Sequence, residues 1–246
     1  MAIREERSTE TTMTQPEVRT NGVTMAGQWE RWAPLAGIIF VVLMFTGTFF
    51  VAYPIPAANA PQQQIADYLT DSGTHTRNII GAYMWVVGAL AFLLFVTRLR
   101  SVLRGAQGGI LPNVVFGAGV IYSALMMASG VTFAAVAYAI GLRDAPVSNP
   151  DLVRVLPEMA WMFLLLGGGF AGILLVLSAC IVSFQTGVLP RWLAWLGIVV
   201  AIALLFDVIY VNILPLLLWV FIASIVMLMR REEMPTAAAS PDGSVA

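Results

Sequence analysis

A long apolar stretch of the chain opens at Pro157 and reads PEMAWMFLLLGGGFAGILLVLSACIVSF, with no charge after Glu158. Its 28 residues exceed the roughly 20 that an α-helix needs to cross a bilayer. A polar break at Gln185-Thr186-Gly187 follows, and Val188-Leu189-Pro190-Arg191-Trp192 opens a second apolar run. The pair predicts a transmembrane hairpin. The same reading along the chain predicts spans at about residues 32–53, 78–97, 111–140, 157–184, 191–207 and 213–229. The expected fold class is all-α: a polytopic transmembrane helical bundle of six spans within residues 29–231. Residues 1–28 are rich in Thr, Glu, Arg and Gln and hold too few large apolar side chains to offset ordering entropy, which predicts a disordered tail. Residues 232–246 read as a second flexible tail.

Polar positions between the spans add detail. Pro54-Ile55-Pro56 ends the first span, and Pro61 suits a new first helical turn. Ile65, Tyr68 and Leu69 then fall on one stripe, with Asp67 and Asp71 elsewhere on the wheel, which predicts a short amphipathic helix lying on the membrane or on the bundle. Asp67, Asp71 and His75 would share its face only if that helix continued. Ser72-Gly73 reads as its stop, which leaves His75 in a solvated loop. Residues 141–156 read as a loop broken by Pro146 and Pro150. Gly168 and Gly172 are spaced as GxxxG. Apolar burial between helices gives little drive in lipid, so close approach through small residues is a main source of packing. That places the fourth span at the centre of the bundle.

Charge sets the orientation. All 13 basic residues are Arg. With six spans, one side holds ten of them, at positions 4, 7, 19, 31, 98, 100, 104, 191, 230 and 231, and the other holds only Arg77, Arg143 and Arg154. The positive-inside bias predicts that both termini are cytoplasmic. Asp144, Asp151, Arg154, Glu158, Asp207, Tyr210 and Asn212 then fall on the outer side at one depth, where they form a candidate polar mouth.

Composition narrows the function classes. The chain is 59% hydrophobic and 11% charged, against about 25% charged in soluble domains. Thirteen basic and fourteen acidic residues give no basic face for nucleic acid. The charge-free interiors of the spans argue against an ion-coupled carrier, which needs a carboxylate near mid-membrane. His75 is the sole histidine, so a bis-His haem is excluded within one chain, and neither H-E-x-x-H nor G-x-S-x-G occurs. The glycine run 167–169 sits inside a span and cannot be a phosphate loop. Cys180, the single cysteine, lies in a span and reads as a small buried side chain. No cofactor, metal or catalytic residue is expected. Ala58-Asn59-Ala60 resembles a signal-cleavage site, but the apolar run before it is too long for a signal peptide, so the span is expected to remain as an anchor.

The segments RWAPLAGIIFVVL, AYMWVVGALAFLLFVTRLRSVLR and TGVLPRWLAWLGIVVAIALL, at residues 31–43, 82–104 and 186–205, carry a family resemblance. The chain resembles the six-span integral membrane proteins of actinobacteria that form a domain family of unknown function. The turn Pro190-Arg191-Trp192-Leu193 is the most recognisable piece, and the likeness extends over most of residues 31–231. The resemblance implies a bacterial plasma-membrane protein and brings no activity or site residue with it. The leading expectation is a non-enzymatic membrane component whose partners are the lipid bilayer and a second membrane protein or another copy of itself. The alternative is a small-molecule or lipid permease using the outer mouth.

Overall fold

The computed structural model describes residues 23–51, 55–57, 59–106, 109–145, 151–206 and 213–229, the side chains of 23–33 and 51 excepted. Among these residues all regular structure is helical. The elements are α1 (Val23–Val51), α2 (Gln62–Thr70), α3 (Ser72–Ala106), α4 (Leu111–Arg143) and α5 (Asp151–Trp161). A π-helical segment (Met162–Gly168) leads on into α6 (Gly169–Thr186), followed by α7 (Arg191–Leu205) and α8 (Leu214–Met229). Three rods are long and apolar enough to cross a membrane: α3, α4 and the continuous Asp151–Thr186 rod. Pro34–Phe50 of α1, α7 and α8 are shorter apolar helices.

Several boundaries differ from those expected, and α3 also runs on to Ala106, past its expected end at about residue 97. α1 starts at Val23, so residues 23–28 are helical where a tail was expected; residues 1–22 and 230–246 lie outside the described residues. α3 starts at Ser72, because Asp71 accepts hydrogen bonds from the Gly73 amide (3.0 Å) and the Thr74 hydroxyl (2.6 Å) and so caps the helix directly after α2. The Ser72-Gly73 pair therefore begins a helix where it was read as a stop. α5 starts at Asp151, with that carboxylate in its positively polarised first turn, so residues 151–156 are helical and not loop.

The six apolar rods close a ring. α1 packs on α3, α3 on α4, α4 on α6, α6 on α7, α7 on α8, and α8 returns to α1. α3 also touches α6 across the middle, so the interior is packed. Phe92 lies 4.7 Å from Phe40 of α1 and 4.9 Å from Tyr122 of α4, ring centre to ring centre. Toward the α2 end, Trp85, Phe133 and Trp161 meet edge to face at 5.1, 5.4 and 6.2 Å, an arrangement that matches the positive edge of one ring to the negative face of another. α7 lies close to its neighbours because Gly197 has no Cβ: one built there would collide with Cys180 Sγ and come within 2.9 Å of Trp219 Nε1. That indole donates to the Leu193 carbonyl at 3.4 Å, within α7 itself.

The outward surface of the rods is apolar as well. Phe45, Leu94, Val131, Phe170 and Val199 all stand exposed. In water such a continuous patch would be unfavourable; against lipid tails it is the expected surface.

Gly168 and Gly172 are buried at the inner face of the Asp151–Thr186 rod. Gly168 faces Tyr122 of α4, and Gly172 faces Leu204 of α7 and Leu216 of α8. This rod is more deeply buried than α3 or α4.

Candidate functional site

One group of polar side chains lies at the end of the bundle covered by α2. That helix is amphipathic in the way its stripe requires. Ile65 and Tyr68 are buried against Val136 of α4 and Val153 of α5, with Leu69 packed alongside, while Asp67 stays exposed. Beneath it, the first turns of α3 present His75 and Asn78, at 2% and 0% exposure. The Asn78 amide donates to the Tyr68 hydroxyl at 3.1 Å, and the Tyr68 and His75 rings meet edge to face at 5.4 Å. Asn78 Oδ1 and His75 Nε2 are buried without a hydrogen-bond partner among the described residues.

His75 is thus a buried member of a polar cluster and not a solvated loop residue. The early start of α3 puts residues 75, 78, 82 and 85 on one helical face, i, i+3, i+7 and i+10, and all four are buried. That spacing was present in the sequence. Only the assumed helix stop hid it.

Electrostatics follow the geometry. Burial pushes the Tyr68 phenol above its ordinary range, partly offset by the Asn78 hydrogen bond. The Thr74 hydroxyl, with the Thr74 and Gly73 amides, holds the Asp71 carboxyl below the usual carboxylate range. A polar cavity of about 260 Å³ opens beside these groups, lined by Pro56, Gln64, Asp67, Tyr68, Asp71 and Thr74.

The proposed mouth residues are placed as follows. Asp144 is exposed at the C-cap of α4, in the left-handed conformation (φ 49°). Asp151, Arg154 and Glu158 follow one another on α5. Arg154 lies 3.5 Å from the Asp151 carboxylate and donates from Nη2 to the Ala60 carbonyl at 3.1 Å. It therefore ties α5 to the segment leading into α2. Glu158 is exposed. Asp207, Tyr210 and Asn212 lie outside the described residues. Asp151 and Arg154 are brought together, whereas the 260 Å³ cavity is lined by a different set. The cluster of Tyr68, His75 and Asn78 can donate and accept hydrogen bonds, but it supplies no nucleophile paired with a base.

Two further cavities among the described residues are apolar grooves on the ring's perimeter. One of about 620 Å³ runs between α1, α7 and α8, walled by Val41, Phe45, Val199, Ala203, Leu214 and Leu218 among others. Another of about 540 Å³ lies between α3 and α4 and is flanked by Tyr83 and Tyr138. Comparison with family models, with curated proteins and with solved structures finds no match.

Proposed function

We propose that this chain is a six-span protein of the bacterial plasma membrane, with both termini cytoplasmic. It acts as a non-enzymatic component that holds a helix of a second membrane protein or of another copy. The observation that carries this reading is the 620 Å³ groove between α1, α7 and α8. Its walls come from three helices and are apolar throughout, and two of them, Phe45 and Leu218, stand half exposed as ridges between which side chains of a further helix can pack. The continuous cluster of buried apolar side chains that joins the helices, Phe40, Phe92, Tyr122 and Leu216 among them, supports a component over a permease.

A photo-crosslinking residue at Val199 or Leu218 tests this in intact membranes. A product whose mass identifies one partner helix, or a dimer of the chain, is the expected result. Crosslinks to lipid alone would overturn the reading. Topology is checked in a Cys180→Ala background: Gln63→Cys should label from outside, and Ser101→Cys only after the membrane is opened. Labelling of Ser101→Cys in intact cells would reverse the orientation.

A further inference from the structure

The two ends of the ring are charged differently. Every carboxylate whose side chain is described (Asp67, Asp71, Asp144, Asp151, Glu158) lies at the α2 end. The opposite end, formed by the α3–α4 and α6–α7 connections, carries Arg98, Arg100, Arg104 and Arg191, with no described carboxylate.

One of these arginines is held in a fixed pose. Arg100 Nε and Nη2 both donate to Asn113 Oδ1 of α4, at 3.2 and 2.8 Å, and the guanidinium lies over the Phe116 ring at 5.0 Å. Of the five N–H donors of a guanidinium, those two bonds occupy the side-on pair. The end-on fork of Nη1 and Nη2 is left for another oxygen pair, and this planar edge matches a phosphate in bidentate geometry. Arg104, exposed, follows at i+4 on the same helical face, where a like charge is unfavourable unless an anion lies between. Trp192, more than half exposed on the first turn of α7, marks the headgroup depth at the same end.

We infer that Arg100 and Arg104 form a binding site for the phosphate of an anionic phospholipid, with Asn113 and Phe116 holding Arg100 in place. The inference uses the six-span reading only to assign the inner leaflet. Binding itself depends on the membrane character of the fold and not on its sidedness. The side-on pair ties α3 to α4 without the end-on fork, so a purely structural Arg100 would leave the lipid preference unchanged when replaced.

The test uses the full chain in detergent, titrated with phosphatidylglycerol or phosphatidylcholine and read by native mass spectrometry. Because both faces are accessible there, a reversed topology leaves the result unaffected. Each headgroup contact of this kind is worth about a fivefold preference, so wild type should favour phosphatidylglycerol by about 25-fold, and Arg100→Gln and Arg104→Gln should each lower that preference by about fivefold. Arg143→Gln, at the opposite end, should not change it. Equal binding of the two lipids by wild type would overturn the site, as would displacement of phosphatidylglycerol by inorganic phosphate at equal concentration. Should Arg100→Gln lower the melting midpoint, Arg104→Gln decides, because its exposed side chain supports no described packing; an unchanged preference in that variant also overturns the site.

Discussion

Ser129 donates its hydroxyl hydrogen to the carbonyl oxygen of Ala160 at 2.8 Å, which ties the middle of α4 to the last α-helical turn before the π segment. Both partners are fully buried. Helix interiors satisfy their own carbonyls, but a change from α to π spacing disturbs that pattern locally, and here a neighbouring helix supplies the donor. Ser129→Ala should therefore lower stability by about 1 kcal/mol, seen as a lower thermal midpoint in detergent. Ser183→Ala is the control: its hydroxyl bonds the Ala179 carbonyl of its own helix, which keeps its helical amide donor. Equal effects of the two substitutions would deny Ser129 its role.

Glycine substitutions separate close packing from ordinary contact. A Cβ at Gly172 would meet Leu204 and Leu216 at 3.4 Å, so Gly172→Ala should be nearly neutral. The branched side chain of Gly172→Ile overfills the site and should cost about 1–3 kcal/mol, as should Gly168→Ile against Tyr122. Gly197→Ala should already destabilise, because its new methyl meets Cys180 and Trp219 at once. Thermal melts of the four variants would check this order.

The buried phenol of Tyr68 makes the α2 end sensitive to alkali. Its folded-state pKa is raised above the ordinary value of 10.0, so folding favours the protonated form. The contribution is fully present below pH 10 and is lost as pH rises through the raised value. Melting midpoints between pH 8 and about 11 should fall more steeply for wild type than for Tyr68→Phe. Parallel profiles would show that α2 does not sense this group.

Asp71 works in the opposite direction. Its pKa is depressed below the ordinary 3.8, so its contribution to capping α3 is present above that value and fades as pH falls through the lowered one. Asp71→Ala should lower the midpoint at neutral pH and should flatten the loss seen on acidification. A variant whose acid profile matches wild type would assign that loss to other carboxylates.

What the sequence carried best was length. The apolar runs at 111–140 and 191–207 fall almost residue for residue on α4 and α7, because only their polar ends interrupt hydropathy. The amphipathic stripe of Ile65 and Tyr68 was equally legible, since α2 has one wet face. Lateral order was not legible. A helix that meets lipid on one side and protein on the other is apolar all round, so nothing in α8 announces that it returns to α1. The π segment was hidden for a similar reason: Met162–Gly168 is apolar throughout, and its glycines fit a packing motif as well as a change of helical pitch. Ser72-Gly73 has the composition of a helix stop, but the Asp71 cap overrides it and keeps His75 within α3. Arg100 was counted in the charge balance, but its partner Asn113 lies 13 residues away, across a hairpin that only folding brings together.

The ring has walls of unequal height. At about 1.5 Å per residue, α3 and α4, of 35 and 33 residues, extend for about 50 Å, whereas α7 and α8, of 15 and 16, extend for only about 22–24 Å. A hydrocarbon layer of about 30 Å cannot match both. If α7 and α8 span the bilayer as proposed, lipid beside them thins or the body leans toward that flank, each at a fraction of a kcal/mol per Å. Thinner regions of the membrane are then the more favourable surroundings, so the protein's distribution within a bilayer of mixed thickness would follow from the shortness of two helices.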